Sequence, residues 1–166
     1  MNSNASITPE QIAFQYPDQR KFPPKKSKRH FDCEAFFYLN DSLYLFTKSR
    51  SPKDHGLTNL YSLPAKKGKY KAKYIRSYNT CDDKGCWITS VDINEAKDKI
   101  ALLTEYHLFL FSNFSDANFF DGDLEQITFD YRSQKESVCF KNDSILYIAD
   151  ENQGIRGGNL YELELN

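Results

Sequence analysis

Short runs in which apolar and polar residues alternate, each closed by a polar turn, recur along this chain at a regular spacing. CEAFFYLNDSLYLFTK (33–48) and KESVCFKNDSILYIAD (135–150) share one plan: an acidic residue, an alternating strand, the turn Asn-Asp-Ser, and a second, more apolar strand. Period-two alternation marks a strand with one face buried. Asn-Asp-Ser suits a tight hairpin because these side chains bond neighbouring backbone groups and tolerate left-handed geometry. Midway between the two, ITSVDINEAKDKIALLTE (88–105) repeats the plan with Thr89 where the others carry Glu34 and Glu136. The two glutamates lie 102 residues apart, which makes two repeats of about 51 residues, close to the roughly 50 of kelch-type blades.

Each unit continues with a third strand, TNLYSLP (58–64), YHLFLFS (106–112) or GNLYELEL (158–165), and the first two add a fourth, GKYKAKYIRSY (68–78) and DLEQITFDY (123–131). SLYLF and KIALL alternate little, as expected of strands covered on both faces. Helical periodicity is weak, and almost no helix is expected. The predicted fold is all-β and β-propeller-like, with about three four-stranded antiparallel blades forming a partial propeller or half of a six-bladed ring. Residues 1–166 make a single domain: an outer, closing strand at 10–16, blades at 31–80 and 86–131, and a blade at 134–166 that lacks its outer strand. EQIAFQY (10–16) nearly repeats EQITFDY (125–131). It is therefore expected to lie antiparallel to the C-terminal strand, or to a partner's, and to close an edge that would otherwise invite association.

Composition adds to this picture without redirecting it. Thirteen Phe and eleven Tyr against one Met and one Trp suit half-buried pleated surfaces. A net charge of −1 creates no large single-sign field, so the whole-chain balance implies neither nucleic acid nor a lipid surface as partner. The exception is local: PDQRKFPPKKSKRH (17–30) holds six Lys and Arg and three Pro. Its prolines bar ladder pairing, so it reads as an exposed loop. A basic contact patch for an anion is one role for it, and a solvated insertion between blades is the favoured one. No apolar run is long enough to span a membrane. The polar N-terminus MNSNASITPEQ lacks the apolar centre of a leader, which implies a cytoplasmic chain or one whose leader is missing.

The chemistry-bearing residues are few. Cys81 and Cys86 bracket the polar loop CDDKGC and form either a small disulfide or two free thiols, while Cys33 and Cys139 read as buried apolar residues in strands. The two Asn-Asp-Ser turns are also N-x-S triplets, but their repeated position favours the turn reading over glycosylation. His30, His55 and His107 accompany no nucleophile motif. GIRGGN (154–159) precedes no helix and reads as a hairpin loop rather than a phosphate cradle. The first strand of each propeller blade runs beside the central axis. Asp32, Glu34 and Glu136 therefore form a candidate Ca²⁺ site of converging carboxylates, set against the favoured role of bracing one blade against the next.

With the blades assigned, the chain resembles uncharacterised extracytoplasmic β-propeller proteins and lipoproteins of Bacteroidetes-type bacteria. The residues that carry this are YPDQRKF (16–22), FDCEAFFYLNDSLYLFTKSR (31–50), LYSLPAKKGKYKA (60–72), WITSVDI (87–93), IALLTEYHLFLFSNF (100–114) and QKESVCF (134–140). The resemblance implies export to the periplasm, the cell surface or the medium. It also implies that the chain corresponds to the C-terminal half of a longer propeller or to a short form of one. It supplies no catalytic residues. Two functions follow as expectations. The first is a non-enzymatic binding or scaffold module for a protein or glycan, with self-association completing the ring. The second is a Ca²⁺-dependent hydrolase of lactonase or phytase type built on Asp32, Glu34 and Glu136.

Overall fold

The computed structural model describes residues 8–154 and 157–165. Thirteen strands are present among them: β1 (Ile12–Gln15), β2 (Asp32–Leu39), β3 (Ser42–Lys48), β4 (Leu57–Pro64), β5 (Gly68–Lys71), β6 (Lys73–Asn79), β7 (Ile88–Ile93), β8 (Lys99–Thr104), β9 (His107–Ser112), β10 (Asp123–Thr128), β11 (Lys135–Asn142), β12 (Ile145–Asp150) and β13 (Leu160–Glu164). Helical structure among the described residues is confined to three short 3₁₀ turns, and no helix is long and apolar enough to cross a membrane. The strands form three antiparallel blade-like sheets, β2-β3-β4-β6, β7-β8-β9-β10 and β11-β12-β13, and a parallel ribbon of β1 and β5. The fold is all-β and propeller-like, and its third sheet has three strands.

The hydrophobic pattern explains the stacking. In the middle sheet, Ile100, Leu102, Phe109 and Phe111 face the first sheet and meet Phe46 and Leu60 there. Ala101, Leu103, Leu108 and Leu110 face the third sheet and meet Val138, Leu146 and Ile148. Strands β8 and β9 are thus buried on both faces, which is why KIALL shows no alternation. The first strands β2, β7 and β11 pack beside one another. Side chains of β7 reach the backbone of β11: Ser90 Oγ accepts from Val138 N at 3.1 Å and Asp92 Oδ2 from Phe140 N at 2.8 Å. These two contacts preserve one offset, so the first strands run in the same direction. All connections into a first strand therefore lie at one end of the stack, here called the loop end, with the hairpins after the first strands at the other.

Each first strand carries one extra residue at the same place. The pairing skips Glu34 between Cys33 and Ala35, Thr89 between Ile88 and Ser90, and Glu136 between Lys135 and Ser137. These three positions are structurally equivalent bulges at the loop end. A bulge bends its strand and re-aims the side chain it holds. The Asn40-Asp41 turn has positive φ at both residues, 47° and 58°, the geometry of a two-residue I′ hairpin. The corresponding turn of the third sheet differs, since Asn142 Oδ1 accepts from Ser144 N at 2.9 Å.

Three expectations need correction. Residues 10–16 do not pair with the C-terminal strand: β1 runs parallel to β5, with Ile12 opposite Gly68 and Gln15 opposite Lys71. Ile12, Tyr16 and Tyr70 cover Leu45, Tyr61 and Leu63 on the outer face of the first sheet, and the Tyr16 ring lies 4.7 Å from that of Tyr61. Burial of these aromatics beside a sheet close in sequence outweighs distant edge closure. The strand expected from Gly68 to Tyr78 breaks at the buried Ala72 into β5 and β6. Finally, Cys33 and Cys139 are in strands but exposed. The bulge at Glu34 takes Cys33 out of phase with the buried Ala35, Phe37 and Leu39, while Val138 and Phe140 take the covered face of β11.

Candidate functional site at the loop end

The site is assembled from the connections at residues 17–31, 49–56, 80–87, 105–106, 129–134, 151–154 and 157–159. Their placement rests on local fits. Gly56 lies so close to the backbone of Cys81 that a Cβ would have no room, and Thr80 Oγ1 donates within hydrogen-bond distance of both Gly56 O and Cys86 O. Cys81 and Cys86 are joined as a disulfide with their Cα atoms 5.5 Å apart, so the loop of residues 80–87 is closed on itself and seated on Gly56. In the third sheet, Gly157 and Gly158 hold φ of 86° and 75°; Gly157 presses on Glu151 O, where no side chain would fit. GIRGGN thus lies in the connection from β12 to β13, with residues 155–156 outside the described residues.

At the centre, two of the sequence-predicted carboxylates, Asp32 and Glu34, are matched by cations of the first sheet. Arg50 Nε donates to Asp32 Oδ2 at 2.6 Å and its Nη2 to Glu34 Oε1 at 3.1 Å. Lys48 Nζ stands 3.4 Å from Glu34 Oε1 with its side chain 10% exposed. Lys48 and Arg50 also lie over the Trp87 ring, 5.5 and 5.6 Å from its centroid, in the range of a cation–π contact. Burial pushes the Glu136 carboxyl above its ordinary value; Lys48 opposes that shift and Glu34 adds to it. One buried lysine from the first sheet thus links an aromatic of the second and a carboxylate of the third. Among the described residues no three His, Cys, Asp or Glu side chains are grouped as metal ligands. The bracing expected of the glutamates falls instead to Ser90 and Asp92. Asp92 also has its carboxyl pushed up by burial, against the pull of the Phe140 N–H.

Around this cluster open three cavities, all at the same end. One, of about 310 Å³, is lined by Glu105, Arg132, Gln134, Glu151 and Gln153. A second, of about 290 Å³, lies between the disulfide loop, Tyr106, His107 and Arg132. Arg132 borders both and is held by Glu105 Oε2, to which its Nε donates at 2.6 Å. The third and largest, about 750 Å³, is a half-open cleft lined by residues between Pro17 and Phe31. Lys135, 3% exposed, donates from Nζ to Ser133 Oγ at 2.9 Å and lies 4.4 Å from the Phe129 ring centroid. Desolvation lowers its pKa.

The histidines are structural in their contacts. His30 Nδ1 lies 2.9 Å from Ser49 Oγ, His55 meets the edge of Trp87, and His107 lies 3.1 Å from Thr128 Oγ1. The Lys48–Arg50–Trp87 cluster has little signature in the sequence. Its one signal is spacing: Lys48 is the last residue of β3 and pairs with Asp32, and Arg50 follows two residues on.

No protein-family model matches the sequence, and no curated protein does. The backbone is similar to part of Saccharomyces cerevisiae Sqt1, at 10% identity and a TM-score of 0.42 over 82% of this chain and 35% of that one. It is also similar to part of Kluyveromyces lactis Hsv2p, at 9% identity and a TM-score of 0.39 over 80% of this chain and 60% of that one. The chain thus spans about a third of the first structure and three-fifths of the second.

Proposed function

We propose that the chain is a non-enzymatic binding or scaffold module of β-propeller type that takes a protein or glycan partner at the loop end and works outside the cytoplasm. The observation that carries this reading is the gathering of three cavities at one end of the stack, around Asp32 and Glu34, which are paired with Lys48 and Arg50. Small sites built from a few convergent polar groups on a rigid scaffold are where ligands bind. The Cys81–Cys86 disulfide suits an oxidising compartment, in line with the resemblance to exported propellers.

The same proposal includes self-association. The outer flank of the first sheet exposes Phe36 and Tyr38, 61% and 58% accessible, and β13 leaves Leu160 71% accessible at an edge with no partner strand among the described residues. A second copy would cover both flanks and extend the stack toward a ring.

The test compares the two ends. Glycan and protein arrays are probed with the wild-type chain, with Arg132→Glu at the loop end and with Lys97→Glu at the hairpin end. Capture lost only in Arg132→Glu supports the assignment, and capture lost only in Lys97→Glu refutes it.

A further inference from the structure

The largest cavity of the loop end is also its most positively charged. Arg20, Lys21, Lys25 and Lys28 line it together with His30, Pro17, Pro24 and Phe31, and Asp18 is the one carboxylate in the wall. Asp18 accepts from the neutral Tyr61 hydroxyl at 3.1 Å and offsets part of the positive charge. Lys48, Arg50, Lys67, Arg76, Arg132 and Lys141 all stand in ion pairs with carboxylates. No salt bridge among the described residues involves Arg20, Lys21, Lys25 or Lys28. Four exposed cations and one carboxylate around one volume leave an excess of positive charge, whose self-repulsion works against the compact loop. A bound anion would remove that cost.

The geometry points to a binding site for a small organic or inorganic polyphosphate, a compact anion with at least two phosphate groups, in the cavity lined by residues between Pro17 and Phe31. The site is a half-open cleft of a volume that suits a small ligand. Arg20 can donate a bidentate pair to one phosphate, and Lys21, Lys25 and Lys28 supply point charges to the others. The floor is fixed. His30 Nδ1 is tied to Ser49 Oγ at 2.9 Å, Arg50 N donates to Arg29 O at 2.6 Å, and Lys28 N to Lys25 O at 2.8 Å in the short 3₁₀ turn Lys26–Lys28. A single phosphate, at about −1.5 to −2, would leave part of the positive charge unmatched, which is why the proposal is for at least two. It rests on the assignment of the loop end as the binding face and narrows it to one cavity and one ligand chemistry.

The probe is inorganic tripolyphosphate, titrated at constant ionic strength and followed by melting temperature and by amide chemical shifts. The site predicts a rise in melting temperature, since a ligand bound only by the folded chain must stabilise it, with shifts confined to residues 18–31 and 49–54. Lys25→Gln/Lys28→Gln should weaken binding by more than about tenfold, given the strength of charge-assisted bonds. Lys69→Gln/Lys71→Gln, on β5 and away from the cavity wall, should leave it unchanged. If the first variant melts early, the wild-type shift map alone decides the matter. Equal losses in both variants, shifts spread over all basic surfaces, or binding of heparin or single-stranded DNA without tripolyphosphate binding would overturn the proposal. If tripolyphosphate fails while array partners still depend on Arg132, the cavity assignment falls and the loop-end assignment stands.

Discussion

At the hairpin end of the stack, polar groups are consumed internally. Asn94, 2% exposed, donates from Nδ2 to Asp98 at 2.7 Å and to Asp143 of the next sheet at 2.8 Å, and its Oδ1 accepts from Asp98 N and Lys99 N. The long connection 113–122 at this end turns inward: Phe119 is fully buried, 5.3 Å from the Phe37 ring and 5.1 Å from that of Tyr44. At the loop end the connections instead line cavities and carry unmatched charge. The same blade plan therefore supplies a sealed end and an open one. The difference lies in what the connections contain: aromatics and Asn caps at one end, cations, glycines and a disulfide at the other. Stability and binding should separate along the same line.

The largest effect should come from the sealed end. Asn94→Ala removes four hydrogen bonds, leaves the part-buried Asp98 and Lys99 amides without their acceptor and is expected to cost about 2 to 4 kcal/mol in urea unfolding with ligand capture unchanged. A cost below that range would mean that the end is less sealed than its hydrogen bonds imply. Reducing the Cys81–Cys86 disulfide, which closes a short loop, should cost about 2 kcal/mol and should also alter capture, because the loop borders the Arg132 cavity. A stability loss with no change in capture would break the comparison at that cavity.

Asp92 sharpens the contrast through pH. Burial holds its carboxyl above the ordinary carboxylate value, so the folded chain takes up the proton before the unfolded chain does. This group's contribution to stability therefore rises as pH falls from neutral through the folded value, and is complete below the unfolded value of about 3.9. Asp92→Asn keeps an acceptor for Phe140 N and removes the titration. Its stability advantage over wild type at neutral pH should shrink on acidification, and a difference independent of pH would contradict the assignment. The smallest effect expected is that of Ca²⁺. With Lys48 and Arg50 already paired to Glu34 and Asp32, millimolar Ca²⁺ should leave the melting temperature unmoved, whereas a clear rise would support a Ca²⁺ site at Asp32, Glu34 and Glu136.

The repeat was legible because period-two alternation and the turn residues recorded it in every unit: Asn40, Asp41 and the run KIALL each do in the structure what their chemistry suggests. The three bulges could be aligned as equivalent positions, although nothing in Glu34, Thr89 or Glu136 as residue types marks a bulge, and the consequence for Cys33 was lost with it. The near-identity of residues 10–16 and 125–131 reports a strand in both cases but not its partner. Glu125–Thr128 runs antiparallel to β9, while Ile12–Gln15 runs parallel to β5, because pairing is decided by which face Ile12 and Tyr16 can bury. At the site, the sequence offered the carboxylates of the first strands. It could not show that Lys48 and Arg50 would reach them across Trp87, since that contact depends on how three sheets stack.

The claim that the loop end is the binding face is tested most directly by amide hydrogen exchange on the chain with and without the strongest ligand recovered from the arrays. Protection on binding is predicted at residues 17–31, 49–56, 80–87, 105–106, 129–134 and 151–154, with 40–41, 94–98, 113–122 and 143–144 unchanged. Protection centred on the hairpins and the 113–122 connection, with the loop end still exchanging freely, would contradict it.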